Sequence, residues 1–224
     1  MQRSSRPRPG SPGGGRVGEP LGYTLVELLI SLGLAALVLS LAVQLVLGDQ
    51  RQTARLTRRL RHGQVLGRAV ALIEGDLAAG QAIALNPDQA SHSCGLAGRT
   101  PILAIERPEG VTTYSVGRAP SSIWRAPVLM RCGRSFRKDG VLNPAGAARN
   151  RLVIDGLDPS PAPWNGCALP GFQLLGSSAE QPLSACLESE SGLVHFRLVL
   201  AGPEGSTASG RLERQGSAVV WLSP

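Results

Sequence analysis

The stretch YTLVELLISLGLAALVLSLAVQLVLG, residues 23–48, decides the fold of this 224-residue chain. Glu27 is its only side chain that is charged at neutral pH, and the 21 residues from Leu28 to Gly48 are uncharged. A helix of that length crosses roughly 30 Å of hydrocarbon. A secretory signal peptide would have a shorter apolar core that ends in a small-residue cleavage site. The stretch therefore predicts a retained transmembrane helix over residues 23–48.

The 22 residues before this stretch, MQRSSRPRPGSPGGGRVGEPLG, are rich in Pro, Gly, Ser and Arg and predict a disordered segment. They contain four of the 23 basic and one of the 16 acidic residues. The whole chain has a formal charge of +7 and a pI near 10.2, whereas the remainder would carry 19 basic against 15 acidic residues, or +4. Basicity is therefore a weak argument for a nucleic-acid partner.

The helical pattern continues past the apolar stretch. No proline occurs from Tyr23 to Asn86, although the chain contains 17, so one long helix is allowed. Apolar side chains recur at helical spacing along one face; they are Leu56, Leu60, Leu66, Val70, Ile73 and Leu77. We predict that the helix begins near Leu25, runs to about Ala79 and has an amphipathic part within residues 49–85, before Asn86-Pro87 stops it.

Residues 86–224, called the head below, alternate short apolar runs with clusters of Gly, Pro, Ser and Asn, a pattern typical of β-strands and turns. The predicted strands are Ile102–Glu106, Val111–Val116, Val128–Arg131, Leu152–Asp155, Phe172–Leu175, Leu193–Leu200 and Ala218–Leu222. Pro108-Glu109-Gly110 predicts a turn that joins the first two as a hairpin. The predicted fold class is α+β, with a long N-terminal helix packed on a mostly antiparallel sheet.

All four cysteines, Cys94, Cys132, Cys167 and Cys186, lie after the apolar stretch. An even number of cysteines on one side of a membrane segment predicts disulfides in an oxidising compartment. A zinc site at His92-Ser93-Cys94 is the alternative, but zinc sites favour close Cys pairs that are absent from the sequence. Four cysteines allow three connectivities, and we favour the pairing of chain neighbours, Cys94–Cys132 and Cys167–Cys186.

The run Gly22-Tyr23-Thr24-Leu25-Val26-Glu27, followed by the apolar stretch, resembles the cleavage and methylation motif of type IV prepilins and pseudopilins. The resemblance implies that a prepilin peptidase cuts between Gly22 and Tyr23 and methylates the new N-terminus at Tyr23. It also implies that Glu27 is required for assembly and pairs with the N-terminal amine of a neighbouring subunit. Tyr23 is a departure, since phenylalanine is usual there, but the aromatic ring is retained.

A carboxylate within a bilayer costs roughly 2.5–3.5 kcal/mol on insertion scales, so it is usually paired. The alternative for Glu27 is that its side chain extends to the lipid headgroups near the helix end. Basic residues flank the apolar stretch on both sides, so the positive-inside rule does not orient the chain. The resemblance implies a cytoplasmic leader over residues 1–22, a single pass through the bacterial inner membrane and an extracytoplasmic head.

The size of the head resembles that of the larger minor pilins or the J-type pseudopilins. The implied function is a subunit of a type IV pilus or of a type II secretion pseudopilus. The implied partners are other subunits, the prepilin peptidase, the inner-membrane assembly platform and membrane lipid, and nucleic acid is disfavoured. From the residues themselves we expect no metal and no cofactor.

Two alternatives remain open. The first is a module that binds DNA or surfaces. Its candidate cations are the arginine cluster at 51–61, for which lipid or subunit contacts are favoured, and Arg125, Arg131, Arg134, Arg137 and Lys138 in the head. The second is a membrane-tethered enzyme, but the three histidines, His62, His92 and His195, belong to no HExxH, Walker or Gly-x-Ser-x-Gly motif. We therefore predict that the chain is not an enzyme.

Overall fold

The computed structural model describes residues 24–176, 179–202 and 211–221. The chain divides into two compact units, Met1–Arg55 and Leu56–Pro224, which are treated separately below. Helix α1 spans Leu25–Ala78, 54 residues in all, and a short 3-10 helix covers Pro87–Gln89. The predicted helix start at Leu25 is confirmed.

In the first unit, Leu25–Leu45 of α1 is long and apolar enough to cross a membrane, with a mean hydropathy of 2.4. None of this segment is buried against other parts of the protein. The large side chains of such a segment would be costly to expose to water.

The strands of the second unit form two antiparallel sheets rather than the single sheet that was predicted. The first sheet has the order β1-β2-β3-β4-β5; its strands are Ala82–Ile83, Thr100–Glu106, Thr112–Gly117, Val128–Gly133 and Arg149–Ile154. The second sheet has the order β6-β7-β8-β9; its strands are Phe172–Leu175, Leu183–Glu188, Leu193–Leu200 and Leu212–Val219. The α+β class is confirmed.

The last turns of α1 supply one wall of the core. Leu66, Val70, Ile73 and Leu77 are buried in one cluster with side chains from both sheets, which confirms the predicted packing for the last turns of the helix. Leu56 and Leu60, which were predicted on the same face, are exposed. Close packing depends on Gly216 in β9, because a Cβ there would lie 2.8 Å from Val70 Cγ1 and 2.5 Å from Phe196 Cζ. Contacts that short would force the helix or the strand to shift.

The helix ends earlier than Asn86-Pro87 suggested. Its last residue is Ala78, Gly80 N donates to Leu77 O at 2.8 Å, and Gln81 N donates to Glu106 O at 2.9 Å. Residues 82–83 then pair with β2 as strand β1, so the helix ends one residue before the predicted Ala79, and the segment assigned to residues 49–85 is helical only through Ala78. A glycine is required at the break because a Cβ on Gly80 would lie 2.5 Å from Ile105 Cγ2.

Most predicted strands are present, and β6 and β8 have the predicted bounds. The hairpin turn is confirmed, since β2 pairs with β3 and Gly110 N donates to Arg107 O at 3.0 Å. Two strands were missed, β1 and β7. The last strand was placed too late: β9 covers Leu212–Val219 instead of Ala218–Leu222.

Two disulfides join Cys94 to Cys132 and Cys167 to Cys186, the pairings that we favoured from the sequence. The first ties the segment before β2 to strand β4. The second ties the proline-rich loop of residues 158–170 to strand β7. Each bridge therefore attaches an irregular segment to a strand, the first bridge to the first sheet and the second bridge to the second sheet.

Candidate functional site

Glu27 lies in the first turn of α1 and interacts with the residue that caps the helix. Its Oε2 accepts hydrogen bonds from the backbone N and the Oγ1 of Thr24, both at 3.1 Å. The Glu27 backbone N in turn donates to Thr24 Oγ1 at 3.3 Å. This reciprocal arrangement is a capping box, in which a threonine N-cap and a glutamate three residues later satisfy each other's free backbone groups.

The capping box opens onto a mostly apolar surface. From Leu25 to Leu45 every described side chain is exposed, and the large aliphatic ones are each at least half exposed. The two serines of this segment bond their hydroxyls back to the helix: Ser31 to Leu28 O at 2.9 Å and Ser40 to Leu37 O at 2.8 Å. Glu27 is consequently the only acidic or basic residue on this surface, and it carries the one fixed charge.

The charge of Glu27 is not neutralised by any cation that the structure describes, because the ion pairs of the described residues all involve other acids. Hydrogen bonds from Thr24 solvate the carboxylate but leave its negative charge in place. Gly22 and Tyr23, the predicted cleavage site, lie outside the described residues. The arrangement can therefore accept a cation supplied from elsewhere.

A second carboxylate on the same helix has the opposite environment. Asp76 is 1% exposed and lies against strands β3 and β4. Its Oδ1 accepts from Arg107 Nη2 at 2.8 Å and Arg131 Nη2 at 3.1 Å, and its Oδ2 from Tyr114 Oη at 2.6 Å and Arg131 Nε at 2.5 Å. Tyr114 and Arg131 are direct partners in the antiparallel register, which places both side chains beside Asp76.

The electrostatics of this cluster follow from its burial. Burial, followed by the charge and hydrogen bond of Asp76, raises the pKa of Tyr114 well above its ordinary value. Burial alone would lower the pKa of Arg131, but the hydrogen bonds and charge of Asp76 outweigh it and raise the pKa. Tyr114 therefore stays protonated as a donor, and the cluster joins the end of α1 to the first sheet.

The other residues considered as metal-binding or catalytic candidates, His92, Cys94 and His195, make contacts within the head. Cys94 forms a disulfide, so it is not a thiolate ligand, and neighbouring His92 places Nδ1 3.0 Å from Thr113 Oγ1. No group of three or more metal-ligating side chains occurs within residues 24–176, 179–202 and 211–221. His195 packs its ring 5.7 Å from that of Phe172.

The basic residues proposed as a DNA-binding surface do not form one set. Arg131 is 2% exposed and bound to Asp76, so its inclusion among surface cations was wrong. Arg125, Arg137 and Lys138 are exposed, whereas Arg134 is half-buried. Of the arginine cluster at 51–61, only the side chains of Arg59 and Arg61 are described, and both are exposed.

Sequence reasoning singled out Glu27 but missed its capping partner. The signal was present, because Thr24-Leu25-Val26-Glu27 has the T-x-x-E spacing of a capping box before an apolar run. Asp76 was missed altogether, since an acid in an amphipathic helix has no sequence signature of its partners, which come from strands β3 and β4 and from the turn after β2.

No protein-family model, curated protein or solved structure matches this chain.

Proposed function

We propose that the chain is a minor pilin or pseudopilin. In this proposal it is a precursor that a prepilin peptidase cuts between Gly22 and Tyr23 and methylates at Tyr23. The mature chain is held in the inner membrane by α1 and joins a type IV pilus or a type II secretion pseudopilus. Its role is structural, and its partners are other subunits, the assembly platform and lipid.

One observation carries the proposal: Glu27 has no cation partner among the described residues, at the start of a 21-residue apolar helical segment with no buried surface. A fixed charge in such a position is costly unless a partner neutralises it. An amine released by cleavage after Gly22 on an adjacent copy would supply that partner. Pairing it with Glu27 would set the axial register of the packed helices.

The capping box supplies the competing explanation, in which Glu27 serves only the helix of its own chain. The two explanations differ in what they require of the side chain. Capping requires an acceptor at residue 27, which glutamine also supplies. Pairing with an amine requires the negative charge, which glutamine lacks.

Glu27→Gln and Thr24→Val separate these explanations. We expect Glu27→Gln to remove the protein from sheared filaments while its amount in the membrane fraction is unchanged. Thr24→Val removes the capping hydroxyl and keeps the charge, so filament incorporation should persist. Immunoblots of the filament and membrane fractions provide the measurement.

The reverse result, with Thr24→Val excluded from filaments and Glu27→Gln incorporated, would show that capping is the function of Glu27. Mass spectrometry of the mature N-terminus tests the cleavage step separately. A methylated Tyr23 is expected, and a mature chain that begins at any other residue would contradict the proposal.

A further inference from the structure

The head contains a cavity of about 480 Å³ between the end of the loop before β2 and the loop of residues 118–126 that follows β3. Two arginines, Arg99 and Arg118, line it together with Trp124 and the hydroxyl-bearing Ser121 and Ser122. No acidic residue is among the lining side chains. The cavity is therefore cationic, and it has one aromatic wall.

Arg99 is the unusual member of this group. It is only 7% exposed, yet its Nε has no hydrogen-bond partner, and none of the ion pairs within the described ranges includes it. Burial lowers the pKa of its guanidinium, with no acid acting to raise it. A buried charge is costly unless it is paired, so Arg99 has unused capacity to bind an anion.

The backbone holds Arg99 in a defined position. Ala97 and Gly98 both have positive φ, 52° and 74°, and the turn closes with a 3.2 Å bond from Arg99 N to Leu96 O. Strand β2 begins at the next residue. Gly117, at φ 147°, lies against Arg99, and a Cβ there would be 3.3 Å from both Arg99 Cα and Cγ. A larger residue than glycine would displace the arginine.

The chemistry of the lining residues indicates one class of ligand. Guanidinium groups bind phosphate and carboxylate oxygens through two parallel hydrogen bonds. Two arginines without an acid match a doubly charged phosphate monoester better than a singly charged carboxylate. Trp124, 40% exposed, presents a flat apolar ring against which a planar group can stack.

We propose that this cavity binds a phosphate monoester that carries a planar ring, with Arg99 and Arg118 on the phosphate and Trp124 against the ring. The site is independent of helix assembly, so the proposal goes beyond a structural role in a filament. Nucleoside monophosphates, free or at the end of a strand, share this chemistry.

Phenyl phosphate is the first probe, titrated calorimetrically into the full chain in a neutral detergent at constant ionic strength. Inorganic phosphate lacks the ring and benzoate lacks the second charge, so each should bind more weakly than phenyl phosphate. Arg118→Gln and Arg99→Gln should each weaken phenyl phosphate binding about tenfold, because hydrogen bonds to a charged group are lost. Trp124→Ala should weaken phenyl phosphate binding and leave inorganic phosphate binding unchanged.

Arg151→Gln is the matched control, since Arg151 is an exposed cation on β5 outside the cavity. It should leave the affinity unchanged, and an equal loss in Arg151→Gln and Arg118→Gln would overturn the proposal in favour of general charge attraction. Failure of phenyl phosphate to bind the wild-type chain, or an unchanged affinity in Trp124→Ala, would also overturn it. Arg118 is exposed, so its variant tests the site without disturbing the core.

The two sources of such a monoester are a free nucleotide and the end of a nucleic-acid strand. A nucleoside monophosphate and a single-stranded oligonucleotide with a 5′-phosphate then distinguish them. Comparable affinity for the two ligands would show that the terminal phosphate and its base are sufficient for binding. Tighter binding of the oligonucleotide, retained when its 5′-phosphate is removed, would contradict recognition of a monoester.

Discussion

Helix α1 carries two carboxylates, Glu27 and Asp76, whose surroundings differ in burial and in the charge of their partners. Glu27 is exposed on an apolar surface and bonds only to Thr24 in its own turn. Asp76 is buried and bonds to two arginines and a tyrosine from the first sheet and the turn after β2. One acid is neutralised within the chain, and the other is not neutralised by any described residue.

The difference separates a charge that is neutralised within the chain from a charge that no described cation neutralises. Burying Asp76 is tolerable because cations and donors surround it, and removing it would leave two buried arginines without their counter-charge. Glu27 has hydrogen bonds but no counter-charge among the described residues, so these interactions do not account for a fixed charge on an apolar segment long enough to cross a membrane. The contrast predicts that the two acids affect different measurements.

The largest expected effect comes from amide substitution of the two acids. Asp76→Asn should lower the free energy of unfolding by about 3–5 kcal/mol, because it leaves Arg107 and Arg131 buried and uncompensated. Glu27→Gln, the matched control, should leave the denaturation midpoint of the second unit unchanged. Denaturant titration of the full chain in detergent measures both.

Asp88→Asn is a second control, since Asp88 is an exposed acid in the 3-10 helix after β1. Equal midpoints for Asp76→Asn and Asp88→Asn would show that the buried cluster contributes nothing to stability, and would break the distinction between the two acids.

A smaller effect is expected at Tyr114, which donates to Asp76. Tyr114→Phe should cost about 1.5 kcal/mol near neutral pH, because a hydrogen bond to a charged group is lost. The raised pKa of Tyr114 adds a pH dependence. Above pH 10, the ordinary tyrosine pKa, the unfolded chain loses this proton while the folded protein keeps it.

The stabilisation from Tyr114 is therefore fully present below pH 10 and decreases as the pH rises towards the raised pKa. The gap in unfolding free energy between wild type and Tyr114→Phe should narrow over that range, as urea titrations at several pH values would show. A gap that widens above pH 10 would contradict the assigned direction of the pKa shift.

The smallest expected effect concerns Gly75, the neighbour of Asp76 on the exposed side of the helix. Gly75→Ala should raise the free energy of unfolding by about 0.5–1 kcal/mol, because alanine favours the helix and its Cβ meets no atom within 4 Å. Gly80→Ala should be destabilising, since its Cβ would lie 2.5 Å from Ile105 Cγ2. Thermal unfolding of both variants provides the measurement. Melting temperatures that shift in the same direction would contradict the packing at the helix end.

Features that depend on neighbouring residues in the chain were predicted well. The start of α1 at Leu25 follows from the apolar run, and strand β8, Leu193–Leu200, follows from its partial alternation. The hairpin between β2 and β3 follows from Pro108-Glu109-Gly110, because proline and glycine restrict the backbone locally.

Strands whose identity depends on distant partners were missed. In β7, Leu183–Leu187 is buried on both faces, so Ser184 and Cys186 interrupt the apolar run without producing an alternation. In β9, the charged and polar residues resemble a loop, yet all eight residues pair with β8. The role of Gly216 there is visible only once Val70 and Phe196 are packed against it.

The sequence by itself determined the apolar stretch, the single acid in it and the long helix, because these depend on composition and periodicity along the chain. Only the tertiary structure decided which acid is neutralised and which buried arginine is left without a carboxylate. Asp76 binds Arg107 and Arg131, which are 31 and 55 positions away in the chain, while Arg99 pairs with no carboxylate among the described residues. Coulombic pairing depends on distance in space, and the fold sets that distance.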